Sequence, residues 1–202
     1  MKTAEPREYR MTARAEAAAA KAARIVDAAV ELFWEQPTDQ IRLEEVATRA
    51  GVTVQTVIRR FGGREGLFEA AASREQGRVR EARAAVTPGD VPGAVANLMD
   101  HYEALGDRVL RLLAEEDRIL AVRDIVERGR ALHRDWCRAA FAPFLIGLTG
   151  VARDRRLAQL VAVCDVYTWK LLRLDAGLSR RQTQIALHEL LGPLLPHRRT
   201  TP

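Results

Sequence analysis

The sequence predicts an all-helical protein, and three observations predict it. Of its 202 residues, 48% are hydrophobic and 29% charged but only 5% aromatic, and Ala, Leu, Arg and Glu, all strong helix formers, dominate. Apolar residues recur at i, i+3/4 and i+7 along most of the chain, while the strict alternation of a strand is nowhere sustained. Breakers fall at helix-length intervals: Pro37, Gly51, Gly62-Gly63, Thr87-Pro88-Gly89 and Gly177. The length suits one small domain plus one larger one, or a single elongated helical body, with two domains the working expectation.

Taken in order, residues 1–20 read as a polar, basic, Ala-rich arm whose helical propensity lacks an apolar stripe and which is expected to fray. From Ala22 the stripe Ile25, Val26, Ala29, Leu32 and Phe33 marks an amphipathic helix that Pro37 stops. Leu43 to Ala50 is a short helix ending at Gly51. Val54 to Phe61 is another, with Thr53 as its N-cap. A longer helix follows from Arg64 to about Ala85. Asp90, Asp107, Asp124, Asp154 and Ser179 then open five more, reaching about Leu105, Val122, Phe141, Asp175 and Leu195, which makes about nine helices.

The stretch from Glu45 to Val57 has the grammar of a helix-turn-helix. Two steeply crossing helices need a small residue at their contact, which is Ala47, and a residue tolerant of positive φ after the first helix, which is Gly51. Val46, Ala50, Val52 and Val57 fall where the pair would face a supporting helix. Between Glu45 and Glu65 stand Arg49, Arg59, Arg60 and Arg64 with no acidic residue, a local excess that says more than the overall net charge of +5.

From Arg24 to Ala71 the sequence resembles the TetR/AcrR family of transcriptional regulators. The resemblance is carried by Ile25-Val26-Asp27-Ala28-Ala29-Val30-Glu31-Leu32-Phe33, by Val46-Ala47 and Ala50-Gly51-Val52-Thr53, by Thr56-Val57-Ile58-Arg59-Arg60-Phe61, and by Arg64-Glu65-Gly66-Leu67-Phe68. It implies a three-helix, helix-turn-helix DNA-binding domain, joined by a long helix to a helical body for ligand binding and dimerisation. The expected boundaries are 1–20 for the arm, 21–68 for the DNA-binding domain and 69–202 for the body. By the same resemblance Thr53, Thr56 and Arg64 would meet phosphate, Val54 and Gln55 would face base edges, and Ile58, Arg59, Arg60 and Arg42 would complete the contact surface. The chain departs from the family at Pro37 and Thr38, where a glycine and an aromatic are usual, at Arg42 in place of a threonine cap, and at Ile58 in place of a tyrosine.

The body holds His101, Tyr102, His133, Trp136, Phe141, Cys164, Asp165 and Trp169, of which Tyr102, His133, Trp136 and Trp169 are the expected lining of a pocket for an apolar or aromatic small molecule. Val166 to Arg173, followed by Gly177-Leu178-Ser179, is similar to the dimerisation region of many such regulators. Leu157, Val161, Cys164, Thr168 and Leu171 on one helix and Leu187, Leu191 and Leu194 on the next are the expected seam of a homodimer on a palindromic operator.

Other chemistries find little support. Cys137 and Cys164 lie far apart in apolar stretches and read as buried reduced thiols. The four histidines, His101, His133, His188 and His197, form no HExxH or comparable metal motif, and no GxSxG, P-loop or GxGxxG occurs. An enzyme, a cofactor and a metal are therefore not expected. The N-terminus lacks a secretory h-region, and no apolar run reaches the ~20 residues of a membrane span, so a cytoplasmic protein is expected. The leading expectation is a repressor released from its operator by a small molecule. The alternative is a DNA-binding regulator whose body takes a protein partner and no small-molecule effector.

Overall fold

A computed structural model describes residues 5–195, with side chains described from Thr12 onward. His197 and the first four residues lie outside that range. Among the described residues every regular element is helical. The chain divides into two compact units, one ending at Glu75 and the other beginning at Gln76.

The first unit is built from α1 (Glu5–Glu35), α2 (Leu43–Ala50), α3 (Val54–Phe61) and the first half of α4 (Arg64–Ala84). The apolar stripe of α1 does what its spacing requires: Ile25, Val26, Ala29 and Leu32 are buried against Val46, Ala47, Ala50, Val57, Leu67 and Phe68. Helix α1 starts well before Ala22, the start expected from the stripe. Residues 12–20 are exposed throughout, so alanine propensity, not burial, accounts for this extension. Arg74 closes the unit from α4, donating to the Ala23 carbonyl and pairing with Asp27, each at 3.0 Å.

The second unit comprises the rest of α4 with α5 (Val91–Glu115), α6 (Leu120–Ala140), α7 (Gly150–Val163), α8 (Val166–Lys170) and α9 (Arg180–Leu191). Asp90 and Ser179 cap α5 and α9 as expected, accepting from the backbone N–H groups of Gly93 and Gln182. Three boundaries differ from the sequence reading. Helix α5 runs straight through Gly106-Asp107 and ends only at Glu115, whose carbonyl accepts from Arg118 and Ile119. Helix α6 starts at Leu120, four residues before Asp124, because Ile119 is extended and Val122, Ile125 and Val126 bury its first turns. The expected helix from Asp154 to Asp175 begins at Gly150 and is interrupted at Cys164-Asp165. There the Asp165 carboxylate accepts from the Tyr167 N–H at 2.9 Å and starts α8, which continues as a π-helical turn over Leu171–Asp175.

The core of this unit gathers Leu98, Met99, Tyr102, Trp136, Phe141, Leu160, Trp169, Leu187 and Leu191. Arg173 reaches Glu103 at 2.8 Å and Arg180 reaches Asp100 at 2.5 Å, tying the last segments to α5 from outside. No helix among the described residues is long and apolar enough to cross a membrane.

Candidate nucleic-acid interface and buried cluster

The turn between α2 and α3 is fixed by backbone geometry that glycine permits. Gly51 sits at φ 65°, its N–H reaches the Thr48 carbonyl at 3.2 Å, and the Val52 N–H reaches Ala47 at 2.9 Å. This pair of bonds satisfies the last carbonyls of α2 and turns the chain sharply toward α3. Thr53 then caps α3, its hydroxyl accepting from the Thr56 N–H at 3.3 Å and lying 2.9 Å from the Thr56 hydroxyl. Val57 is fully buried and anchors the helix, so the opposite side of α3 faces out.

That outer side carries Gln55, Ile58, Arg59 and Arg60, all exposed. Ile58 is 40% exposed. Val54 is half-buried and packs on the core of the unit, whereas Gln55 is exposed. Arg59 and Arg60 make no ion pair among the described residues. Arg49 and Arg64 are engaged within the fold. Arg49 bonds Glu35 at 2.6 Å. The Arg64 guanidinium donates to the carbonyls of Ile41, at 3.3 Å, and Thr38 while lying 4.7 Å over the Phe68 ring. Arg42 is exposed at the start of α2, where its backbone N–H is received by the Glu45 carboxylate at 3.4 Å. The Gln36 amide also bonds Glu45, at 2.9 Å, and together these bonds hold the Glu45 carboxyl below its ordinary range. Thr38 is buried, and its backbone carbonyl receives Arg64.

Residues 25–71 match the family described as bacterial regulatory proteins, tetR family. That match spans α2, α3 and the adjoining parts of α1 and α4, all within the first unit. Solved structures share the fold over most of the chain's length. A transcriptional regulator from Rhodococcus sp. Rha1 is 20% identical over 90% of this chain and 99% of its own, with a TM-score of 0.66. FadR from Bacillus subtilis, solved in complex with stearoyl-CoA, is 17% identical over 85% and 96%, with a TM-score of 0.58. NalD of Pseudomonas aeruginosa, the secondary repressor of the MexAB-OprM multidrug efflux pump, is 18% identical over 90% and 99%, with the same TM-score. No curated protein matches the sequence at a significant level.

In the second unit the four residues expected to line a pocket form two ring pairs. Tyr102 and Trp169 have ring centroids 5.8 Å apart, and His133 and Trp136 lie stacked at 6.0 Å. The Tyr102 hydroxyl donates to the Cys164 carbonyl at 3.0 Å, and burial pushes it well above the usual phenol range. What the sequence reading missed is Arg83, in the last turn of α4. It is only 5% exposed, its Nη1 lies 2.9 Å from His133 Nδ1, and its guanidinium carbon lies 4.9 Å from the centre of the Trp136 ring. A guanidinium only donates, so His133 Nδ1 accepts and the ring proton sits on Nε2, toward the Val161 carbonyl at 3.4 Å and the Cys137 sulfur at 3.7 Å. A basic residue on a helix with an alternating run of arginines gives no sequence signal of burial, which is why Arg83 was not singled out.

The two cysteines, distant in sequence, meet in this cluster. The Cys164 thiol and the His133 ring donate toward Cys137, whose thiol is held low, and Arg83 adds to that effect; Cys164 is pushed up in turn. His101 is driven down to about 3, by burial first and then by the charge of Arg83. Three N–H groups in this core, Arg83 Nε, Trp136 Nε1 and Trp169 Nε1, are buried without an acceptor. Each such group costs ~1–3 kcal/mol when left unanswered, more where it is charged.

The expected seam residues divide. Leu157, Cys164, Leu187 and Leu191 are buried in the core of their own chain, and Val161 and Leu194 pack against it. The Thr168 hydroxyl bonds the Ala162 carbonyl at 2.6 Å. Leu171 is 60% exposed, and with Tyr167, Leu174, Ile185 and Leu190 it forms the apolar surface that α8, its π-turn and α9 leave uncovered.

Proposed function

We propose that the protein is a sequence-specific regulator of transcription that binds duplex DNA as a homodimer, acts as a repressor and is released from a palindromic operator by a small molecule. The observation that carries the DNA-binding part is the construction of α3: an eight-residue helix capped by Thr53, anchored by Val57, and presenting Gln55, Arg59 and Arg60 to solvent. A helix of this length fits the major groove, where Gln55 can bond an adenine edge bidentately while the arginines and Arg42 meet phosphates. One such helix reads few bases, so pairing two of them on one operator supplies the missing affinity. The exposed Tyr167, Leu171 and Leu190 support a dimer face on α8 and α9.

Release by a ligand is supported by the ring pairs Tyr102–Trp169 and His133–Trp136, of which Tyr102, Trp136 and Trp169 are buried in the core of the second unit, and two proteins sharing the fold point the same way: FadR was solved with stearoyl-CoA, and NalD is a repressor of an efflux pump. By linkage, a ligand that weakens DNA binding must itself bind more weakly when DNA is present, by the same factor. Selection of bound fragments from random duplex DNA tests the reading. The expected product is a palindromic site retained at physiological salt, and a set of unrelated sequences eluted by salt alone would overturn it.

A further inference from the structure

Arg83 is a cation that cannot be discharged, placed in the interior of the second unit with no carboxylate bonded to it among the described residues. Its neighbours do not answer the charge. His133 presents a lone pair but carries no charge in that arrangement, the Tyr102 hydroxyl is a further neutral hydrogen-bonding neighbour, and the Trp136 ring offers only its face. Asp165, the acid whose field reaches this cluster, uses its carboxylate to cap α8 through the Tyr167 N–H. Arg83 Nε and Trp136 Nε1 remain buried donors without acceptors on the two groups that face each other across 4.9 Å. Folding tolerates an isolated buried charge only when something pairs with it or when its role repays the loss of stability.

We infer that this cluster is the seat of an organic carboxylate, whose two oxygens take the Arg83 fork while its apolar body lies among Trp136, Tyr102 and Trp169. The inference rests on the ligand-controlled reading above and adds the ligand's chemistry: an apolar acid, where the aromatic rings alone suggest only an apolar molecule. A planar guanidinium matches a carboxylate bidentately and is more weakly hydrated than an ammonium, which makes arginine the suitable cation for such an interior. The chain's own groups already register the positive field there, since Arg83 helps hold the Cys137 thiol low and keep His101 uncharged.

The test uses the full chain and four acids, acetate, benzoate, phenylacetate and octanoate, each beside its neutral amide, with titration calorimetry and thermal shift as readouts. At least one acid is expected to bind saturably and raise the melting temperature, with its amide about tenfold weaker or worse, the loss expected when one charge-assisted pair is removed. Arg83→Met is expected to abolish the preference for the acid. Should that variant not fold, Arg83→Lys, which keeps the charge and loses the fork, is expected to weaken the acid while the wild-type comparison of acid with amide stands unaided. No binding across the whole acid series, equal binding of acid and amide, or full acid affinity in a folded Arg83→Met protein would each overturn the proposal and leave Arg83 a packing residue. Operator release is scored separately. An acid that binds through Arg83 without loosening DNA would refute ligand control and leave the anion site standing, and a neutral molecule that releases DNA while no acid binds would do the reverse.

Discussion

Gly106 on α5 lies directly against the Trp169 ring: a Cβ at residue 106 would stand 2.5 Å from Cζ3 and 2.6 Å from Cη2. Its lack of a side chain is what lets Trp169 sit 3% exposed beside Tyr102. In a helix interior Ala normally stabilises relative to Gly by ~1 kcal/mol. Here overpacking costs ~1–3 kcal/mol and wins, so Gly106→Ala is expected to lower stability by about 1–2 kcal/mol in urea unfolding. A variant more stable than wild type would mean that the ring moves freely.

Gln55 is exposed and makes no contact that folding needs, so Gln55→Ala should leave the melting temperature of the free protein unchanged. Against DNA it should cost ~1–3 kcal/mol and relax preference at one base position. Repeating the DNA selection with the variant checks this; an unaltered site would mean that α3 is read in a different register.

Arg60 and Arg64 separate two effects of arginine. Arg60→Ala should weaken all DNA sequences alike and reduce the slope of log affinity against log salt by about 0.9, with stability unchanged. Arg64→Ala removes the donor shared by the Ile41 and Thr38 carbonyls, so it should destabilise the free protein by ~1–3 kcal/mol in addition to any effect on the salt slope. Melting curves without DNA, set beside binding at several salt concentrations, distinguish the two.

Leu171 and Leu190 are 60% and 47% exposed, on the segments proposed to meet a second copy. Replacing both with Glu would place unpaired carboxylates in an apolar contact, at several kcal/mol. Sedimentation at micromolar concentration should show a dimeric wild type and a monomeric variant with its helix content kept and its operator binding lost. A wild-type monomer, or a variant that stays dimeric, places the interface elsewhere.

His101 is held neutral down to about pH 3 in the folded chain, whereas the unfolded side chain protonates near its ordinary value of 6.5. Between those limits the unfolded state binds more protons, so stability rises with pH in that window and is lost as the solution is acidified from 6.5 toward 3. The slope from this one group approaches ~1.4 kcal/mol per pH unit. His101→Gln, which cannot titrate, should therefore lose less stability than wild type between pH 6.5 and 4.5 in thermal unfolding. Parallel curves for the two proteins would mean that water reaches the imidazole.

Sequence by itself determined the elements whose signals are local. The turn at Gly51 and the caps at Thr53, Asp90 and Ser179 depend on φ angles and on hydroxyl or carboxylate groups within three residues of the N–H they serve, and the stripe from Ile25 to Leu32 repeats at the helical period. The burial of Tyr102, Trp136 and Trp169 was also legible, since large rings on the inward stripe of a bundle helix pack into its core. Tertiary structure decided where a local signal had two readings. A new helix was expected to open at Asp107, yet α5 runs on and Gly106 is a close contact, because Trp169 approaches from a distant helix. Arg64 looked free for phosphate and is turned onto carbonyls more than twenty residues away. Leu157, Leu187 and Leu191 looked like a surface seam and fill their own core, while Leu171 stays outside. Arg83 carries no local signal of burial and is buried. Composition and period report how a residue relates to its own helix; only the packing of helices distant in sequence decides which neighbours a side chain has and whether its charge meets water.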